Sequence, residues 1–486
     1  MIKRIRQAAL LEAMTSPRIW SVKFDPDSDS PVGTRAGLAR GMVAEVAVGS
    51  EQVRNDFDEI SIFQRPLFNA TWDDKNGRWV DLVERGEEGF TLSPTEAGRE
   101  VVYRSTPFWY QLEISDTGRI CRVSVSDEEI NGYTLAPMFR DGSKPVYRPA
   151  FEAAIDDTDG LLHSRAGLTP TEAAPHDWYS LMESRANRAR SENGAEWFSD
   201  YLLLLVEFAT FNLQSVMQGV CGERVSLFNA HDMDEMCPIG LYTEYTNVYT
   251  KGDEIILLAD DGTGYGHYGK YTVTAVFPYE DVGDLIMLGG LDLETFFLQS
   301  DEWAAIPARA KTGVAISAVT NASSGRASAH PMSPIVWRGK ENPWGNMATI
   351  LWDYTLKINK LGYAQLLHLN PDSISNLFRE SDYLPCGEEY PFFMAEDSFV
   401  MGMAKSPEGD FLYPVLFENT AIERYFATRS SQYRSSVNKD TFCVIAVGSD
   451  TSKSVGTNFA TTEFVSATAP DSRWKHLGSR LAFKEK

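Results

Sequence analysis

An α+β fold is what the sequence predicts. Short alternating segments divided by turns run from about residue 18 to Pro149, two helical segments lie between His176 and Gly219, and strand-like segments then close the chain. A strand set, a helix pair and a second strand set in one chain belong to the α+β class.

Taken in order, Ile19-Trp20-Ser21-Val22-Lys23-Phe24 alternates and meets the turn cluster Asp25 to Gly33. Met42 to Val48, Phe63 to Thr71, Arg78 to Val83 and Val101 to Glu113 follow as candidate strands, making residues 1–110 a β-rich N-terminal module. Arg119 to Val125 and Thr134 to Pro149 continue the pattern. A helix then opens near His176, with Asp177 as its N-cap and Leu181, Met182, Arg185 and Ala189 on one face; Asn193-Gly194 ends it. The second helix runs from Ala195 to Gly219. Trp197, Tyr201, Leu204, Leu205, Phe208, Phe211 and Leu213 cover most of its circumference, as in a core helix. Burying Leu202 to Val206 at ~1.5–3 kcal/mol per side chain makes it a central stabilising element.

Residues 221–305 interrupt this plan. Thr246 to Leu258, Tyr271 to Phe277 and Asp284 to Met287 alternate as strands around the glycine-dense turn Asp260 to Gly269, and read as a small β-barrel-like insertion. Asn321 to Arg326 is a polar loop returning to the main body. Beyond residue 353, strands and loops alternate to the end.

Composition narrows the function. With 486 residues, 43% apolar and 12% aromatic, the chain has ample core and is globular. Its 68 acids against 45 bases give a net charge of −23, which repels phosphate backbones; no basic stripe offsets this, so no nucleic acid is expected as partner. Cys121, Cys221, Cys237, Cys386 and Cys443 are odd in number and far apart, which argues against a disulfide framework and for synthesis in a reducing cytoplasm. Glu12 and Pro17 interrupt the N-terminal apolar stretch, against a signal peptide, and Leu202 to Val206 is too short to insert in a membrane.

The densest feature is Trp337-Arg338-Gly339-Lys340-Glu341-Asn342-Pro343-Trp344-Gly345-Asn346, ahead of the apolar run Met347 to Trp352. Two indoles, two glycines, a proline and two asparagines in ten residues make a rigid, self-satisfied turn with aromatic anchors. Trp337, Glu341, Asn342, Trp344, Gly345 and Asn346 are its structural residues.

This segment resembles the Glu-Asn-x-x-Gly-Asn core signature of C-type-lectin-like folds, found in formylglycine-generating-enzyme relatives and in phage tail and receptor-binding proteins. Other segments resemble the phage proteins in the same order. Thr34-Arg35 and Asn55 to Asp58 are similar to their opening segment, and Glu207 to Ser215 to their second helix. Cys443 to Gly448 and Gly456 to Phe464 are similar to the two strands before the last, and Trp474 to Phe483 to a Gly-x-Arg-Leu final strand. The resemblance implies a C-type-lectin-like domain over residues 111–220 and 306–486, a place in the virion tail beside other tail proteins, and a homo-oligomer, a trimer. Residues 420–440 depart from the pattern, being rich in Ser, Arg and Tyr without glycine-rich pairs.

Catalytic signatures are missing from the sequence. The seven histidines are scattered, and no Gly-x-Ser-x-Gly or His-Glu-x-x-His occurs. The enzymatic relatives oxidise a substrate cysteine with a closely spaced cysteine pair, whereas Cys386 and Cys443 are distant in sequence. A strand follows the glycines of 262–269, so they read as a hairpin turn and not a phosphate cradle. His231-Asp232-Met233-Asp234-Glu235 with Cys237 mixes hard and soft ligands, yet such acidic clusters are more often solvated loops. Glu341-Asn342-Pro343 resembles a calcium-lectin sugar motif, but in the phage proteins that stretch is structural. No metal or cofactor is expected.

The binding candidates are Arg424, Tyr425, Arg429, Tyr433, Arg434 and Asn438, since Tyr and Arg provide rigid contact area and directed hydrogen bonds. A solvated loop with strand-facing tyrosines accounts for them equally well. The expectation is a non-enzymatic phage tail-tip or fibre protein attaching to a host surface glycan or protein. Two alternatives stand beside it: a purely structural virion component, and an enzyme of the formylglycine-generating type.

Overall fold

The computed structural model describes residues 17–485 apart from 141, 221–224, 230–240, 244–248, 250, 261–264, 280–282, 291–301, 331, 371–378, 393, 395–396, 419–424, 434–439, 449–457 and 467–476. With 42% strand and 13% helix, the architecture is β-rich, which overturns the α+β expectation and the lectin-like class attached to it. The excess came from reading helix where the chain turns away. The expected helix Ala195 to Gly219 is Gly194–Phe208, here α2; it stops where Ala209 adopts a left-handed backbone at φ 53°. Only the short helix α3, Leu213–Val216, follows.

Both helix starts also differ from expectation. The first helix, α1, is Pro175–Arg185, and its first-turn proline sets the start; Ala174 is the N-cap, and Asp177 lies inside the first turn. Asn193 starts α2 instead of ending α1. Its Oδ1 accepts from Glu196 N at 2.8 Å while Glu196 Oε2 accepts from Asn193 N at 3.0 Å, a reciprocal cap.

Most strands lie where alternation places them, including Ile19–Lys23, Arg78–Glu84 and Ile120–Ser126. The single expected strand Val101 to Glu113 is two, Arg99–Ser105 and Trp109–Ile114, divided at Pro107. Of Met42 to Val48 only Ala47–Val48 forms a strand, in parallel with Gly325 and Arg326, while Ala44 makes an isolated bridge to Asn55. Val225–Asn229, Leu241–Thr243, Glu254–Asp260, Tyr265–Tyr279, Gly283–Gly289 and Glu302–Pro307 close into a barrel. A ten-stranded sheet carries the C-terminal half, with Ala348–Ile358 beside Thr441–Val447.

One core joins the two ends of the chain. Trp20, Val22 and Phe57 share a buried cluster with α2 and with Tyr354, Cys443 and Phe464 of the C-terminal sheet. The N-terminal strands and the C-terminal sheet thus pack into one buried cluster. The Trp197 indole of α2 stacks on the Phe459 ring at 5.6 Å and 1° between planes. Leu477 and Gly478 pair in parallel with Ala348 and Thr349, bringing the closing strand beside the Trp337–Asn346 segment.

Candidate functional site

The Trp337–Asn346 segment is a buried hub in which nearly every polar atom has a partner. The Trp337 indole N–H donates to Glu207 Oε2 at 2.8 Å, and the Arg338 guanidinium clamps the same carboxylate with two bonds of 2.8 Å. Asn55 Nδ2 donates to Glu207 Oε1 at 2.8 Å, and Arg338 reaches Asp58 at 3.0 Å, so the N-terminal segment is tied to α2 through this motif. Burial pushes the Glu207 carboxyl up; the facing Arg338 more than offsets it and holds the group below the usual range.

One turn pair earlier on α2, Asp200 takes three cations. Its Oδ1 accepts from Arg65 at 2.6 Å, and its Oδ2 from Arg148 at 2.9 Å and from Lys340 at 3.0 Å. Lys340 also donates to Glu192 at 2.6 Å, and Arg148 pairs with the same carboxylate. Burial opposes the Asp200 charge, but Arg148, Arg65 and Lys340 hold its carboxyl well below the ordinary value. Glu196 follows the same logic: burial raises it, and Arg190 and Arg148 bring it down to about 2. Glu196, Asp200 and Glu207 lie four and seven residues apart, on one face of α2. That acidic stripe on an otherwise apolar helix is the sequence signal for this network.

The rest of the motif is equally committed. Glu341 Oε1 and Oε2 accept from Gly313 N at 2.6 Å and Ile316 N at 2.9 Å, capping the short helix α4, Val314–Ala318. Asn342 Oδ1 accepts from Ile335 N at 3.1 Å, and the Trp344 indole donates to Met217 O at 2.9 Å. Gly345 at φ 89° faces Gly219, where a Cβ would stand 3.3 Å from the Gly219 Cα. Arg480 of the C-terminal end donates to Glu341 O and to Asn342 O, the latter at 2.6 Å.

Asn346 Nδ2 donates to Glu152 Oε2 at 2.5 Å, while Glu152 Oε1 is buried with no partner among the described residues. Burial, only partly countered by Arg480, raises this carboxyl to about 7. Below pH ~4.5 both folded and unfolded chains hold the proton, so the contribution is intact there. As pH rises through about 7 the folded chain must give up a proton that the unfolded chain has already lost, and stability falls. Glu152→Gln keeps the Asn346 bond and has no proton to lose. Its melting temperature is expected to decline less than that of the wild type between pH 5 and 8; parallel curves would show that Glu152 does not titrate in this range.

The six expected ligand contacts do not form one exposed set. Tyr425 is fully buried, its hydroxyl donates to Ile120 O at 2.6 Å, and Arg119 lies 4.8 Å over its ring; it packs the core and faces no ligand. Arg429 is half-buried, 5.3 Å over the Phe399 ring. Tyr433 ends the strand Arg429–Tyr433 beside Val465. Arg424, Arg434 and Asn438 lie outside the described residues, as do His231 to Glu235 and Cys237. Among the described residues no cluster of three His, Cys, Asp or Glu side chains could hold a metal ion.

Cys386 and Cys443 are both free thiols. Cys386 N bonds to Leu366 O, Leu366 faces Leu356, and Leu356 faces Cys443. Three ladder steps at ~4.8 Å place them about 14 Å apart, beyond the reach of a disulfide. Burial also pushes the Cys386 thiol up to about 12, away from the reactive thiolate. This pair cannot run the oxidative chemistry of the formylglycine-generating enzymes.

Two cavities remain. One of about 460 Å3 lies between Leu67 and α4, and its inner polar wall is Arg338 and Asp58, already bonded to each other. The other, about 320 Å3, lies at the seam between the barrel and the main body. No protein-family model matches the sequence, and no curated protein matches it either.

Proposed function

We propose that this chain is a non-enzymatic component of a phage tail tip or fibre and attaches the particle to a glycan or protein on the host surface. The observation that carries the reading is the mount beneath residues 425–433. Tyr425 and Phe426 are sunk in the core, and Asn458 Nδ2 donates to Ala427 O at 3.1 Å and to Thr428 Oγ1 at 2.9 Å. The strand Arg429–Tyr433 then lies inside the ten-stranded sheet, between Asp397–Lys405 and Thr462–Ser466. Segments 419–424 and 434–439, which contain Arg424, Arg434 and Asn438, join this anchored stretch at its two ends. Contact residues held by a rigid sheet are the usual build of a binding surface. A trimer in the virion tail, beside other tail proteins, would gain avidity from individually weak sites.

Purified protein is expected to bind susceptible cells, and the pair Arg429→Ala with Tyr433→Ala to weaken that binding at least about tenfold, as loss of two interface anchors does. An unchanged melting temperature establishes that the variant is folded. Binding equal to wild type removes these residues from the contact surface.

A second reading, a purely structural virion component, is favoured by one observation: Tyr425 and Arg429 are already engaged in packing. Imaging the chain in its particle separates the two, since a position buried among neighbours leaves no surface for a receptor.

A further inference from the structure

We propose that the cavity between Leu67 and α4 binds a carboxylate carried on a small apolar body. Its volume of about 460 Å3 is within the ordinary range for small-molecule sites. The buried side chains of Leu67, Ile316, Val319 and Val336 give it an apolar wall. None of residues 425–433 lines it, so the site stands whether or not those residues form a receptor surface.

Two lining guanidiniums have donors to spare. Arg85 N bonds to Leu67 O at 2.8 Å, and its side chain reaches the α4 wall, where Nη2 donates to Ile316 O at 3.5 Å. Among the described residues that long bond is the only one its side chain makes, and no carboxylate pairs with it. Arg65 lines the same cavity. Its Nη2 donates to Asp200 at 2.6 Å, while Nε and Nη1 are buried with no partner among the described residues. A guanidinium donates and never accepts, so what satisfies these groups is an acceptor. A carboxylate is the planar acceptor that meets such a fork with two parallel bonds.

The carboxylates at hand do not supply that acceptor. Asp58 Oδ1 already accepts from Ser323 Oγ at 2.7 Å and pairs with Arg338 at 3.0 Å. Glu84, at the rim, stands opposite Phe68 in the strand pairing, and Arg104 lies 5.5 Å over the Phe68 ring. These two opposite charges therefore share the Phe68 face of the sheet, which is not the face of Leu67. Of the other lining cations, Arg338 is bonded to Glu207 and Arg65 to Asp200. Arg85 is the cation without such a partner, and its single charge suits a carboxylate better than a phosphate monoester, which carries about −1.5 to −2.

The test uses the full chain and isothermal titration with hexanoate, benzoate and N-acetylleucine. Hexanamide and hexylamine keep an apolar body without the negative charge, and acetate keeps the charge without the body. At least one of the three acids is expected to bind about tenfold more tightly than every control, the value of a charge-assisted hydrogen bond. Arg85 is exposed, so Arg85→Gln folds normally; it is expected to keep the wild-type melting temperature and to weaken acid binding about tenfold or more. Ala322→Phe puts a ring into the cavity from a half-buried position and is expected to abolish binding in a chain that still melts cooperatively. Hexanoate binding above N-acetylleucine makes the ligand a free acid, and the reverse order makes it a chain-terminal carboxylate; either supports the site. No heat with any acid at about 10 mM, equal affinity for hexanoate and hexanamide, or wild-type acid affinity in Arg85→Gln overturns the proposal.

Discussion

Asp200→Asn is expected to destabilise the fold by about 3–5 kcal/mol, the cost of leaving buried charge uncompensated. The substitution is isosteric, so packing is kept and only charge is lost. Arg65, Arg148 and Lys340 all bond to this carboxylate, and all are buried. With Asp200 neutral, Glu192 is the carboxylate still bonded to Arg148 and Lys340, and Arg65 keeps its stacking 4.3 Å over the Trp337 ring and 5.3 Å over the Tyr103 ring. Urea denaturation of the variant against wild type measures the loss. A loss under about 1 kcal/mol would mean that water reaches the cluster and screens it.

The same site sets the acid limb of stability. Asp200, Glu196 and Glu207 are all held below their ordinary values in the folded chain. A carboxyl depressed by folding contributes stability above its unfolded value near pH 4, and loses it as pH falls through its folded value. For Glu196 that window runs from about pH 4 down to about 2. Asp200→Asn is therefore expected to flatten acid unfolding as well as to lower the plateau. A variant with a lower plateau but an unchanged acid slope would assign that slope to other carboxyls.

What the sequence made legible follows from range. Alternation is local, and it found the strands at Ile19–Lys23, Arg78–Glu84 and Ile120–Ser126. Helix ends were misread because Asn193-Gly194 fits both a stop and a start. What decides is Glu196, three residues on, which completes the reciprocal cap. Overestimating α2 to Gly219 came from treating Phe211 and Leu213 as one helical face, although Ala209 turns the chain over before them. The Trp337–Asn346 segment read locally as a rigid turn. Its ties to Asn55, Glu207 and Arg480, up to 283 residues away for the Asn55–Arg338 contact, have no local signature. Tyr425 failed as a surface residue for a related reason: its burial depends on Ile120 and Arg119, far back in the chain.

Arg338→Ala is the sharper test of how the N-terminal segment is held. Arg338 is 3% exposed and Glu207 fully buried, so removing the guanidinium strands a buried carboxylate at the C-terminal end of α2, again at about 3–5 kcal/mol. It also removes the bonds to Phe63 O and Asp58, both at 3.0 Å. Two results separate charge from tether. If stranded charge dominates, adding Glu207→Gln to Arg338→Ala recovers much of the loss, and a double-mutant cycle returns a coupling of at least about 2 kcal/mol. If tethering dominates, the second substitution recovers nothing. Amide exchange then speeds up selectively across residues 55–63, where the 3-10 turns Asp56–Glu59 and Ser61–Phe63 lean on Arg338. The bidentate geometry at 2.8 Å favours the first outcome, because a carboxylate that has lost two charge-assisted bonds inside an apolar helix has no water to replace them.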